Sequence, residues 1–133
     1  MTLALGDARI NCLLAYAVLA KYRWAVAPAG IGFAERALGS QHAGNLFVGG
    51  SRTFLDGGYL FEFTFDSSRR QFAFSDPKLK DKVDDNDYKF DEGQSASLVA
   101  GTNFVIVTNI VSGSDGNLYV TSLSNGAVYM IHQ

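Results

Sequence analysis

The sequence predicts an all-β protein made of two similar antiparallel sheets, on three observations. The first is a run of β-branched and aromatic residues from Val105 to Ile131, interrupted at Asp115-Gly116 and Asn125-Gly126. Both dipeptides tolerate the positive φ angles that two-residue hairpin loops demand, so the run predicts three strands in a meander. In it Leu118, Val120 and Ser122 fall on one face, and Tyr119, Thr121 and Leu123 on the other. The second observation is an earlier copy. Gly44-Asn45-Leu46-Phe47-Val48 matches Gly116-Asn117-Leu118-Tyr119-Val120, and Gly58-Tyr59-Leu60-Phe61-Glu62-Phe63 matches Gly126-Ala127-Val128-Tyr129-Met130-Ile131. The third is composition: 14 glycines against 2 prolines, with 47% hydrophobic residues, fits a turn-rich β chain able to bury a core. Copies of a small sheet lying roughly 70 residues apart cannot each bury both faces alone. Four-stranded units of that kind suggest the blades of a β-propeller. The predicted fold is thus a partial β-propeller of about two four-stranded antiparallel blades in residues 22–133, after a short leader in residues 1–21 that is helical or disordered.

The elements follow in order. In the leader, Ile10, Leu13, Leu14, Ala17 and Val18 fall at helical spacing and Asp7 can cap the start. The apolar run Cys12–Ala20 is too short to span a bilayer. Ala15-Tyr16-Ala17 offers a small-residue cleavage site, but Asp7 beside Arg9 is not the clear positive charge that a signal peptide carries, so compartment stays open. After Pro28, Ala29–Phe33 predicts an inner strand that Gly30 and Gly32 thin for close backbone approach. Loop Glu35–Ala43, strand Asn45–Gly49, turn Gly50–Gly57 and strand Gly58–Asp66 come next. Turn Ser67–Arg70 and strand Gln71–Ser75 complete the first blade. The third of these strands carries Tyr59, Phe61, Phe63 and Phe65 on one face, and Phe72 and Phe74 add to it from the fourth. Residues 76–104 are expected to be a solvated acidic connection. Strands Val105–Ser112, Asn117–Leu123 and Ala127–Ile131 then make a second blade with three strands.

Charge and motifs narrow the function classes. A net charge of −2 provides no basic field for nucleic acid or an anionic membrane. The single cysteine, Cys12, has no internal disulfide partner, and no N-glycosylation sequon is present. Gly30-x-Gly32-x-x-Glu35 lacks the third glycine and following helix of a dinucleotide loop. The acidic run Asp84-Asp85-Asn86-Asp87 with Asp91-Glu92 has oxygen ligands of the kind calcium takes. Lys89 and Phe90 break the loop pattern calcium sites use, so the run reads as a solvated face and no metal site is assigned. His42 and His132 show no partner that would position a general base, so no catalytic residue is assigned. Lys78, Lys80 and Lys82 read as surface charges. Arg52, in the glycine-rich turn between two strands, is the one candidate binding cation.

From about Tyr22 onward the chain resembles the C-terminal part of the glucose/sorbosone dehydrogenase family, soluble sugar dehydrogenases that use pyrroloquinoline quinone. The likeness rests on Trp24–Ile31, Leu46–Gly49, Gly58–Phe63, Asp81–Asp85 and above all Val107–Val120, similar to a T-D-I-x-x-G-P-D-G-x-L-Y-V closing blade. Asn109 stands where that pattern has Asp, and Ser114 where it has Pro. The resemblance implies a six-bladed propeller, extracellular or periplasmic, with quinone and calcium at one end of its axis and a histidine base in an early blade. This chain would correspond to roughly its last third, without the base and most of the cofactor shell. No cofactor is therefore expected for the chain alone, although Arg52 occupies a turn comparable to those that hold the quinone carboxylates. Two rival expectations result: a sugar dehydrogenase-like piece without catalytic competence, or a non-enzymatic module that self-associates through open strand edges or binds another protein. A small-ligand or metal site in the acidic loop is a third.

Overall fold

A computed structural model describes residues 27–51, 57–84 and 93–133. The leader, Arg52, and the acidic residues Asp85, Asp87, Asp91 and Glu92 lie outside the described residues. Strands β1 (Ala27–Phe33), β2 (Leu46–Ser51), β3 (Tyr59–Phe63) and β4 (Val99–Thr102) form one antiparallel sheet in that order. Strands β5 (Val107–Ser112), β6 (Leu118–Ser122) and β7 (Ala127–Ile131) form a second, also in chain order. The expected sheets of four and three strands are present.

The repeat holds down to register. Leu46 pairs with Phe63 and Val48 with Phe61 in the first sheet; their counterparts Leu118 and Ile131, and Val120 and Tyr129, pair in the second. One edge of the middle strand matches as well, with Ile31 opposite Val48 and Ile110 opposite Val120. In both sheets a bulge follows at the same place, between Pro28 and Ile31 and between Val107 and Asn109. A bulge tightens the local twist, so its repetition gives both meanders the same bend. The first connection also closes alike: Ala34 N–H donates to Asn45 O and Gly113 N–H to Asn117 O, with Gly44 and Gly116 at φ 76° and 80°. The first sheet spans this closure with the loop Glu35–Ala43, the second with just Ser114 and Asp115.

Two turns differ from expectation. Gly116 N–H bonds to Gly113 O and Gly126 N–H to Leu123 O, and the positive φ belongs to Gly116 and Gly126, not to Asp115 or Asn125. These are type I-like turns closed by a left-handed glycine. Aspartate and asparagine keep ordinary backbone angles and only the glycine takes the one that L side chains avoid.

The first sheet is buried on both faces. Leu46, Val48, Phe61 and Phe63 pack with Phe72 and Leu79 on one side. Phe47 and Leu60 meet Val107, Ile110, Leu118 and Val120 of the second sheet on the other. Glycine sets how closely the sheets approach: a Cβ on Gly49 would overlap the Val107 side chain, and one on Gly32 the Ile110 carbonyl. Strand thinning by Gly32 is therefore a packing device, as its place in β1 implies.

The fourth strand is a correction. Gln71–Ser75 makes only an isolated bridge, Phe72 with Phe65, and the sheet is completed by Val99–Thr102. Phe72 and Phe74 instead turn inward, their ring centroids 4.7 and 6.5 Å from that of Phe63. Their alternation signalled burial, which a capping segment satisfies as well as a paired strand. The connection at 76–104 is likewise not simply solvated. It contains short 3-10 turns at Pro77–Leu79 and Gly93–Leu98, and it buries Leu79, Ser95 and Asp84. Asp84 accepts hydrogen bonds from the Gln94 N–H at 2.9 Å and from the Ser95 hydroxyl, so this member of the acidic run is a structural tie.

Candidate functional site

Strand β3 runs past the end of β4. Val99 pairs with Phe61, and the chain then passes Glu62, Phe63 and Thr64 before Phe65 bridges Phe72. The notch left there is an open cavity of about 280 Å³. Glu62 comes to it from β3 and Thr64 from the residue just after it, and Gln41, His42 and Asn45 from the β1–β2 loop. Ser75 and Asp76 follow the Phe72 bridge, and Ser97 precedes β4. Phe74, Leu79 and Leu98 supply apolar wall.

Glu62 is the centre of the polar side. Its Oε1 lies 2.7 Å from His42 Nδ1 and accepts from Asn45 Nδ2 at 2.6 Å. An ionised carboxylate has only acceptors, so Nδ1 carries the proton in this contact. Asn45 is buried and also donates to the Gln41 carbonyl at 3.0 Å, which fixes the loop to the strand. Asp76 accepts from the Lys78 N–H at 2.9 Å. That bond, with the Ser97 hydroxyl, holds its carboxyl below the usual range. Arg69 steadies the same corner, donating to Gly44 O at 2.6 Å while its guanidinium lies 5.1 Å from the Phe65 ring centroid.

His42 therefore has the partner that its sequence neighbourhood does not reveal. Glu62 is twenty residues away. The hairpin register carries the signal: Glu62 is the cross-strand partner of Phe47, which puts it on the same face as Asn45, two residues before Phe47. His132 is exposed and contacts only the adjacent Gln133 carbonyl among the described residues. Lys78 and Lys80 are exposed, and Lys82 donates to Gln71. Among the described residues no three His, Cys, Asp or Glu converge as metal ligands. No described helix is long and apolar enough to cross a membrane.

The second distinctive surface is the outer face of the second sheet. Val111, Tyr119 and Met130 form one cross-strand row there, with Val128 in the next. Val111, Val128 and Met130 are at least half exposed. At its rim Asp115 accepts from Tyr119 OH and Asn117 Nδ2, both at 2.8 Å. The tyrosine hydroxyl, and next the asparagine, hold Asp115 below the usual carboxylate range, and the carboxylate in turn raises Tyr119.

Set against known protein families, curated proteins and solved structures, the chain matches none of them.

Proposed function

We propose that this chain is a binding module, two units of a propeller-like β assembly that associate with a further β-sheet. The observation that carries this reading is the inequality of two equivalent sheets. In the first, the face bearing Phe47 and Leu60 is covered by the second sheet, and the edge of β3 is paired by β4. In the second, the same face bears Tyr119 and Val128 and has apolar side chains in the open, and among the described residues the corresponding strand β7 is the last in its sheet. An unpaired edge beside an exposed apolar face is a ready template for another strand or sheet. Val111 and Thr121 stand where the first sheet has Gly32 and Gly49, so a partner rests on side chains, farther out than the second sheet rests on the first.

Light scattering on the purified chain tests this. Association is expected at about 50 μM, and Val128→Lys together with Met130→Lys should return the chain to monomer. A wild-type chain that stays monomeric at that concentration would remove the proposal.

Kinship with the sugar dehydrogenases is a second reading, supported by the motif Val107–Val120. On that reading this portion of the propeller holds the cofactor with Arg52 at most, and lacks the base. With added quinone, calcium and a dye acceptor it should not oxidise aldoses, because hydride abstraction needs a positioned base beneath a rigidly held quinone. Aldose-dependent dye reduction would contradict the expected lack of catalytic competence.

A further inference from the structure

We propose that the cavity beside β3 binds a small organic cation, a primary ammonium group on a short polar body, between Glu62 and Asp76. Among the described residues two carboxylates line it and no lysine or arginine does. The cationic groups nearest the two carboxylates are His42, which pairs with Glu62 when its ring is protonated, and Lys78, whose charge reaches Asp76 from outside the cavity. Glu62 takes its bonds from a histidine and an asparagine, both through Oε1, and no hydrogen bond reaches Oε2 among the described residues. Asp76 takes its bonds from a backbone N–H and a serine hydroxyl. An ammonium has three donors and no acceptor, and suits such a pair of acceptors. The hydroxyls of Thr64, Ser75 and Ser97 can receive or donate to a polar substituent. Phe74 and Leu98 offer carbon surface to the ligand body, and an aromatic ring also attracts a cation. At about 280 Å³ the space equals roughly nine waters at about 30 Å³ each, enough for a metabolite-sized amine.

The repeat gives an independent reason. The shared register does not depend on Glu62, because the second meander pairs in the same way with Met130 in its place. Where the first unit has Asn45 bonded to Glu62, the second has Asn117 Nδ2 lying 3.7 Å from the sulfur of Met130. His42 belongs to the long loop that the second unit replaces with Ser114 and Asp115. The remaining wall comes from the segment after β3 and from the residues that lead into β4. The asparagine is common to both copies, and the carboxylate and the histidine belong to the first alone.

The test is an NMR titration of the ¹⁵N-labelled full chain, held below its association concentration. Ethanolamine hydrochloride is the probe, with sodium acetate and ethylene glycol as anionic and neutral counterparts at equal ionic strength. Saturable shifts of the Asn45 side-chain amide and the Ser75 and Ser97 backbone amides are expected with ethanolamine alone. A fragment this small should bind with Kd on the order of 1 mM. Glu62→Gln and Asp76→Asn should each weaken it about tenfold, as loss of a charged acceptor does, while Met130→Gln at the equivalent place in the other sheet leaves it unchanged. If Glu62→Gln loses the dispersed amide spectrum of the folded chain, Asp76→Asn decides. Equal shifts with acetate or glycol, no saturation with ethanolamine (a solvent-filled notch only), or undiminished affinity in a folded carboxylate variant would overturn the proposal.

Discussion

Among the described residues the first sheet is covered on both faces and borders the cavity at Glu62, whereas the second is covered on one face and exposes Val111, Val128 and Met130 on the other. Their middle strands nonetheless share a motif, a pairing register, a bulge position and a left-handed glycine. The shared features are those that a meander needs in order to form. The differences lie in what each unit adds around it. The first unit lengthens the β1–β2 loop, folds Phe65 to Leu79 back as a cap and gains β4. It also exchanges side chains for glycine where the second unit docks. One backbone plan thus supports a finished unit and an open one.

The largest effect expected from breaking this comparison is in the core. Phe61 and Tyr129 occupy equivalent positions, the first fully buried and the second partly. Phe61→Ala should cost about 3–5 kcal/mol, measured as a lowered urea midpoint. Tyr129→Ala should cost about 1–2 kcal/mol, since less surface returns to water. Equal losses would mean that the second sheet is as well covered as the first.

The glycine exchange is expected to rank next. Gly49→Thr installs the residue that the second sheet carries at that place, Thr121. It forces a Cβ into Val107 and should cost about 1–3 kcal/mol by overpacking the contact between sheets. The reciprocal Thr121→Gly, in an open face, should cost about 1 kcal/mol or less, through strand propensity alone. A Gly49→Thr chain with an unchanged urea midpoint would show that the sheets can move apart freely.

The smallest effect is sought at Asp115, whose acceptor role has no equivalent at Ala43 in the first unit. The folded carboxyl is held below the ordinary value of 3.8, first by Tyr119 OH. A lowered folded pKa contributes stability above the unfolded value and loses it as pH falls through the folded one. Denaturation profiles should therefore show Asp115→Asn slightly less stable than the wild type above about pH 3.8, with the difference fading as pH falls, so that a little of the acid sensitivity is removed. The carboxyl is exposed, so solvent keeps the contribution small. An unaltered acid limb would mean that the contacts to Tyr119 and Asn117 do not persist in solution.

How much of this was legible along the chain depends on the range of the interaction. Strands β2, β3, β6 and β7 were marked within a few residues by alternation and by glycine turns, and Leu118, Val120 and Ser122, which alternation puts on one face, are the buried ones. The aromatic file Tyr59, Phe61, Phe63 and Phe65 does lie on one core face. The same rule misassigned Gln71–Ser75, because alternation reports which side chains are buried and not whether the backbone is paired. It passed over Val99–Thr102, a short strand of small residues whose pattern is faint. His42 looked partnerless because Glu62 reaches it only once β2 and β3 are in register.

The amino-acid sequence by itself determined the β class, the duplication, the turn positions and the two meander cores. Those follow from side-chain alternation and glycine's backbone freedom, both properties of a few neighbouring residues. Only the tertiary structure decided which segment completes the first sheet, which glycines admit the second, and how a carboxylate, a histidine and an asparagine meet beside β3. Those outcomes depend on contacts between residues distant in the chain, where many arrangements satisfy the same local pattern and packing selects one.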